Sequence, residues 1–367
     1  MKNCEKKQKR SAMRKKSDIK YMRLALELAA KAKDRTYPNP MVGAVIVKNG
    51  RIVGKGYHRR SGEDHAEIVA IKDAGEKCRG ATMFVTLEPC DHFGKTPPCT
   101  KAIINSGIKT VKFAMKDPNP LNNGRGIRKL RKHGVSVGEV ACAEETYSLN
   151  RKYIKFVTRD LPYVTLKLAQ SVDGKTAARD GSSKWITSED SRKYVKRFRS
   201  DFDAIIVGIN TVLNDDPLLL GEGERGKKIT RVVVDSRLRS PLGSKLVRTA
   251  AGSTVIIATT ELAPASRAKK FRRADGVELI ETRSRRGKVS LKSFLKKLAS
   301  RGIVNVLVEG GGELAGGFLE EGMVDEIAFF IAPKLIGSAK NIASAIDLKK
   351  VEMKRIGQDM LIEGFLR

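Results

Sequence analysis

Histidine is scarce, with four in 367 residues, and the chain has one tryptophan, five cysteines and an aromatic content of 5%. So few rings offer few platforms for stacking the bases of a single-stranded nucleic acid. No run of about 18 apolar residues occurs, which argues against a membrane-spanning helix. The basic start over residues 2–16 has no apolar stretch behind it, which argues against a signal peptide. The cysteines (Cys4, Cys78, Cys90, Cys99 and Cys142) are odd in number and follow no framework spacing, so they read as reduced thiols, free to bind metal. A soluble, cytoplasmic protein with a frayed basic tail is expected.

Acidic residues are also in deficit. Against 72 Lys+Arg there are 41 Asp+Glu, a net charge of +31, and a surface that basic attracts phosphate, on nucleic acid or on small anionic substrates. Hydrophobic residues at 41% and charged residues at 31% are ordinary for a globular chain. The length exceeds the usual one-domain range and predicts two domains.

Apolar residues recur at helical spacing over residues 19–33, and "TYPNP" ends that helix. Two short β-type runs, 42–47 and 52–57, flank Lys48-Asn49-Gly50, a hairpin signal. His65 opens a helical pattern to Ala74, "ATMFVTLEPC" reads as a buried strand, 99–106 as a helix and "KTVKFAM" as a strand. A further helix and strand over 125–137 and a helix over 144–158 complete an α/β layered first domain, placed at 18–147. Apolar runs at 164–169, 204–207, 231–234, 254–258 and 304–308, several of them separated by helices, predict a second α/β domain over 151–367. "ETRSRRGKVSLKSFLKKLASRG" reads as a charged amphipathic helix with its entry loop.

The chemistry concentrates in "DHAE" and "EPCDHFGKTPPC". His65, Cys90 and Cys99 offer one imidazole and two thiols, and Glu67 a free carboxylate. Three N/S ligands with an open fourth position describe a catalytic zinc (Zn2+) site, where zinc brings the pKa of water to about 7. His65 and Cys99 fall at predicted helix starts, where partial positive charge favours a thiolate. Positions i and i+2 do not share a helix face, so His65 and Glu67 reach one metal only if it sits at the helix's N-terminal end. H-x-E followed by P-C and a second cysteine is the signature of zinc nucleobase deaminases, with the glutamate as proton shuttle.

Eight residues separate Cys90 from Cys99, against two in polynucleotide and free-base deaminases. With "YPNPMVGAVIV" and "GYHRRSGEDHAE" upstream, the segment resembles the deaminase half of the bifunctional riboflavin-biosynthesis deaminase/reductases. That resemblance implies a cytidine-deaminase-like three-layer domain. It implies substrate contacts from Asn39, His58 and Lys95, with Lys95 and Thr96 in the enlarged loop offered to a phosphorylated substrate. His92 also matches, without an assigned role.

"VNVLVEGGGELAGGFLEEG" reads as a strand, Glu309, a glycine triplet and a helix, a turn able to approach a phosphate. It fits G-x-G-x-x-A over 310–315, but the next strand, near Glu326, follows too soon for a Rossmann unit. "KLAQSVDGKTA", "SSKWITSEDS", "FRSDFDAIIVGINTVLNDDPLL", "VVVDS" and "VEGGGELAGGF" occur in the order found in the reductase half of the same family. The resemblance implies a dihydrofolate-reductase-like α/β domain binding NADPH. By it, Ala169, Trp185, Thr211, Asp215 and the run Gly311, Gly312, Glu313, Leu314, Ala315, Gly316 and Gly317 line the cofactor. Ser183, Arg199, Leu219, Ser236 and Glu309 face the substrate, and Lys167 and Asp215 are candidate proton donors. The family's arginine after "DDPxL" is delayed here to Arg225.

The expected activity is zinc-dependent deamination of a phosphoribosylamino-diaminopyrimidine followed by NADPH reduction of its ribose, with small phosphorylated pyrimidines and a second copy of the chain as partners and no specific nucleic acid. The charge keeps an RNA-acting deaminase open as a rival. A third reading makes the C-terminal half an interaction module.

Overall fold

The structure is a computed structural model that describes residues 2–32, 35–94, 96–176, 186–222, 228–334 and 349–366, with side chains from residue 16 onward. The chain divides into two compact units, Met1–Arg159 and Asp160–Arg367.

In the first unit, helix α1 (Lys2–Ala30) is followed by β1 (Gly43–Lys48), β2 (Arg51–Tyr57), α2 (Ala66–Ala74), β3 (Thr82–Leu87), α3 (Cys99–Asn105), β4 (Thr110–Met115), α4 (Arg125–Lys132), β5 (Ser136–Glu139) and α5 (Ala143–Arg159). The strands pair in the order β2-β1-β3-β4-β5, with β3, β4 and β5 parallel and the other pairs antiparallel. Between β1 and β2, Asn49 at φ 50° and Gly50 at φ 74° make the left-handed two-residue turn that their types favour. Alternation along β1 separates two cores. Ala44 and Ile46 pack with Ala66 and Ala70 of α2 and Ile103 of α3, whereas Val45 and Val47 pack with Met22, Ala25 and Leu28 of α1. Helices therefore cover both faces, giving three layers. The basic head is not a frayed tail: α1 begins at Lys2, consistent with the helix propensity of its Lys, Arg, Glu and Gln residues.

The second unit runs β6 (Tyr163–Ser171), α6 (Glu189–Arg199), β7 (Ala204–Gly208), α7 (Ile209–Asp215), β8 (Thr230–Val234), α8 (Lys245–Arg248), β9 (Val255–Thr260), α9 (Ala265–Phe271), β10 (Val277–Thr282), β11 (Ser284–Arg285), β12 (Lys288–Val289), α10 (Leu291–Ala299), β13 (Asn305–Glu309), α11 (Gly312–Glu320), β14 (Glu326–Ala332), β15 (Lys349–Ile356) and β16 (Asp359–Phe365). Its main sheet has the order β10-β9-β8-β7-β13-β6-β14-β16-β15, parallel from β10 to β14 and antiparallel thereafter. One face buries Leu166, Val306 and Val308 under Phe294 and Leu298 of α10 and Phe318 of α11. The other buries Ile205, Val233 and Leu307 under Leu246 and Phe271. The entry to the charged α10 is the hairpin β11–β12, which sequence reading took for a loop. No helix among the described residues is long and apolar enough to cross a membrane.

Candidate metal centre and reductase site

His65, Cys90 and Cys99 place Nδ1 and two sulfurs within 4.8 Å of one another. His65 caps α2 in an extended conformation, φ −69° and ψ 160°. It therefore stands outside the helical twist, which lets it share a site with Glu67 in the first turn. Its Nδ1 lies 3.2 Å from Cys99 Sγ and 3.6 Å from Cys90 Sγ, while Nε2 meets the Thr96 hydroxyl at 3.2 Å. Nδ1 is thus the metal-facing atom, and Thr96 orients the ring from behind. Cys99 opens α3, and its N–H, one of the helix's unpaired donors, is 3.4 Å from Cys90 Sγ.

The electrostatics suit a metal. In the metal-free protein Cys90 is pulled down to about 4, chiefly because the Cys99 thiol donates to it, with His65 assisting. The same bond, with burial, pushes Cys99 well up, and the contact with Cys90 raises His65. Glu67, 4% exposed, is pushed up to about 7, first by burial and then by the negative Cys90. An imidazole nitrogen and two sulfurs at these separations, with a carboxyl alongside, fit an open zinc site.

Asn39 and His58 adjoin this centre. Asn39 Nδ2 donates to His58 Nε2 at 3.2 Å, so Nδ1 of the neutral ring donates to the Asp64 carbonyl at 3.1 Å. Burial lowers the His58 pKa, and the His58 and His65 rings meet edge to face at 5.1 Å. Nδ1 of His92 is buried without a hydrogen-bond partner among the described residues. Lys95 lies outside the described residues.

In the second unit, Lys167 on β6 and Glu309 on β13 are register partners. Arg199, the last residue of α6, grips Glu309 with Nε to Oε1 at 2.7 Å and Nη2 to Oε2 at 2.9 Å, and its Nη1 reaches the Leu220 carbonyl at 3.3 Å. Burial would raise Glu309, but Arg199 and Lys167 hold it below the usual carboxylate range. Burial lowers Lys167, partly offset by Glu309, and its Nζ lies 5.3 Å from the centre of the Phe330 ring. Beside this cluster Leu219 is buried at a left-handed φ of 53°.

The start of α7, the helix that carries Thr211, lies beside the glycine run of α11: Leu314 packs 3.7 Å from where a Cβ on Gly208 would stand, and Asn210 Nδ2 reaches Glu313 Oε2 at 3.4 Å. Glu313 also pairs with Lys288. A Cβ on Gly311 or Gly312 would meet nothing within 4 Å, so the start of α11 is open space beside helix N–H groups, which fits a cofactor phosphate. Ala169 is on β6 and packs at the edge of the small core of Val195, Phe330 and Leu361. Asp215 ends α7. The Ser236 hydroxyl accepts the Val289 N–H at 3.0 Å. Ser183, Trp185 and Arg225 lie outside the described residues.

Comparison with known proteins agrees with both halves. Residues 15–115 match the family described as "Cytidine and deoxycytidylate deaminase zinc-binding region", and residues 162–362 match "RibD C-terminal domain". The riboflavin biosynthesis protein RibD of Aquifex aeolicus (strain VF5) is 44% identical over 354 residues, covering 94% of this chain and 97% of its own. That of Escherichia coli (strain K12) is 38% identical over 368 residues, covering 94% and 98%. The chain belongs to the RibD family of riboflavin biosynthesis proteins. Among solved structures, Acinetobacter baumannii RibD, form 2, superposes with a TM-score of 0.83 at 34% identity, covering 96% of this chain and 100% of its own. A Thermotoga maritima deaminase/reductase gives 0.79 at 37% identity, covering 96% and 100%. The chain is accordingly a bifunctional enzyme of riboflavin biosynthesis, with a cytidine-deaminase-like zinc unit and a reductase unit that uses NADPH.

Sequence reading missed the supports behind these sites. The buried Glu88 accepts N–H groups from Asp117, Gly124 and Ile127, which seats the start of α4 behind Pro89-Cys90. Gly126 allows the approach, since a Cβ there would stand 1.9 Å from the Pro89 carbonyl oxygen. In the reductase unit Arg231, wholly buried, donates to the carbonyls of Leu218, Thr249 and Ser253 and to the Thr249 hydroxyl. An arginine inside the apolar strand "TRVVV" was the available signal.

Proposed function

We propose that the chain catalyses two successive steps on one phosphorylated pyrimidine. The first replaces the ring amino group of 2,5-diamino-6-(5-phosphoribosylamino)pyrimidin-4(3H)-one with oxygen, releasing ammonia. The second reduces the ribosyl arm of the resulting 5-amino-6-(5-phosphoribosylamino)uracil to ribityl. The observation that carries the reading is the buried Glu67 carboxyl beside the three metal-facing atoms of His65, Cys90 and Cys99. We assign deamination to residues 18–147 together with the rest of α5, and reduction to the part of 151–367 that follows α5, from Asp160 onward.

Zinc held by the three ligands supplies a Lewis acid that makes water nucleophilic near neutral pH. Glu67, titrating near neutrality in the metal-free site, is poised to carry both protons of the attacking water in turn, the first to the ring nitrogen as oxygen adds and the second from the new hydroxyl to the amino group that departs as ammonia. Asn39 and His58, already bonded to each other, are in place to orient the ring. In the reductase unit NADPH supplies the hydride, which needs an electrophilic carbon and therefore a ring-opened or imine form of the ribose. Lys167, held beside Glu309, supports its assignment as proton donor over Asp215 at the end of α7. The phosphate-attracting charge serves small phosphorylated substrates, and the enzyme acts as a homo-oligomer in the cytoplasm.

The test follows NADPH oxidation with each of the two pyrimidines. Glu67→Gln keeps the size and loses the shuttle, so it should retain zinc, lose deamination by about 10²-fold or more, and reduce the already deaminated substrate normally. Unimpaired deamination would remove Glu67 from the mechanism, and loss of both activities would overturn the division of labour.

A further inference from the structure

We infer that Asn122 is a positioning residue for the zinc site, holding Cys90 by the two peptide groups that flank it. The inference rests on His65, Cys90 and Cys99 being the zinc ligands. Asn122 lies between β4 and α4 and is wholly buried. Its Oδ1 accepts the Asp91 N–H at 3.0 Å. Its Nδ2 donates to the Pro89 carbonyl at 3.4 Å and to Asp117 Oδ2 at 3.2 Å. The partners themselves orient the amide: one is a donor and two are acceptors, so the flipped amide would mismatch all three.

Cys90 follows the end of β3 in irregular backbone, so no sheet ladder fixes it. Asn122 holds it from one side. On the other, the Thr100 hydroxyl donates to Asp91 Oδ1 at 2.6 Å, and the Thr100 N–H reaches the Cys90 carbonyl at 3.2 Å. These bonds tie Cys90 to the start of α3, where Cys99 sits. The Asn122 end is anchored through Asp117, whose Oδ1 accepts the Tyr153 hydroxyl of α5 at 2.9 Å. Only an amide serves all three partners of Asn122. Aspartate lacks the donor, and leucine of similar volume leaves the half-buried Asp91 N–H and the buried Pro89 carbonyl without the partner Asn122 gave them, which costs more than the bonds were worth. Groups that orient a metal ligand typically set about 10–100-fold in affinity.

The test measures zinc release from the purified, zinc-loaded full-length enzyme into excess chromogenic chelator, together with melting temperature and, after cobalt replacement, the thiolate absorption band. Asn122→Leu should release zinc about 10–100-fold faster than the unaltered enzyme and shift the cobalt band. Asn122→Ala, with room for water, should do the same and covers the case in which leucine prevents folding. Tyr153→Phe loosens the same network at α5 but leaves both Cys90 peptides held, so it should melt earlier and release zinc at the unaltered rate. Unaltered release from a folded Asn122 variant overturns the inference. So does acceleration in Tyr153→Phe equal to that in Asn122→Leu, which would mean general loosening. Full zinc occupancy after Cys99→Ser would instead bring down the ligand assignment, whatever Asn122 does.

Discussion

Arg199 and Glu309 form a two-pronged ion pair, 2.7 and 2.9 Å, between the end of α6 and the end of β13. Breaking a buried pair costs about 3–5 kcal/mol. Here Lys167 still faces Glu309, and the side chains keep 19% and 10% of their exposure, so Arg199→Met is expected to cost about 2 kcal/mol. Because the pair depresses the Glu309 pKa, its contribution is present above the ordinary carboxylate range and fades as pH falls through the lowered value. Thermal melts from neutral to acid pH check this: the gap between the two proteins should close on acidification, and a constant gap contradicts it. Reduction should fall in the variant while deamination holds.

Zinc binding should strengthen as pH rises. Cys90 is already a thiolate at neutral pH, whereas the elevated Cys99 thiol and part of His65 must give up protons to become ligands. A plot of log affinity against pH between 6 and 8 should therefore rise by about one or more per unit. Competition with a chelator at several pH values measures it, and a flat profile would contradict the protonation states described.

Gly126→Ala should destabilise although alanine is the better helix former by about 1 kcal/mol. The added carbon would stand 1.9 Å from the Pro89 carbonyl oxygen, and the obstacle is backbone. Overpacking of this kind costs about 1–3 kcal/mol, and α4 is displaced from the segment that carries Cys90. Lower zinc content with a lower melting temperature is the expected result, and a raised melting temperature would refute the contact.

The positive charge predicts RNA association that is weak and falls steeply with salt, as counterion release requires. Filter binding across a salt series checks it. Tight, sequence-selective binding persisting at about 0.2 M salt would favour a polynucleotide substrate.

The metal centre was legible because its ligands fall within short motifs: "HAE" and the two ends of "EPCDHFGKTPPC" name the atoms that meet. Legible too were the Asn49-Gly50 hairpin and the alternation of β1, since both are local patterns. Thr96 was read as a substrate contact from its place beside Lys95, yet its described partner is the His65 ring, a relationship set by the fold of the loop. Glu88, Gly126 and Asn122 carried no local signal; each acts on a segment some 30 residues or more away. The order of the reductase sheet was equally hidden, because periodicity locates strands without saying which of them are neighbours.

That order bears on how the chain is made. Strand β6 is bonded on its two sides by β13 and β14, so during synthesis it has no lateral partner from Ser171 until Asn305 has emerged. The first unit completes its sheet with β5 by Glu139. A ribosome therefore releases a deaminase half able to fold early, trailed by a half whose central apolar strand waits unpaired, the state most open to aggregation. Chains stalled before Asn305 should show a protease-resistant first unit and cleavage within β6 of the second, whose β7 to β10 already have one another as neighbours. Resistance of β6 itself would mean that it finds shelter before its neighbours exist.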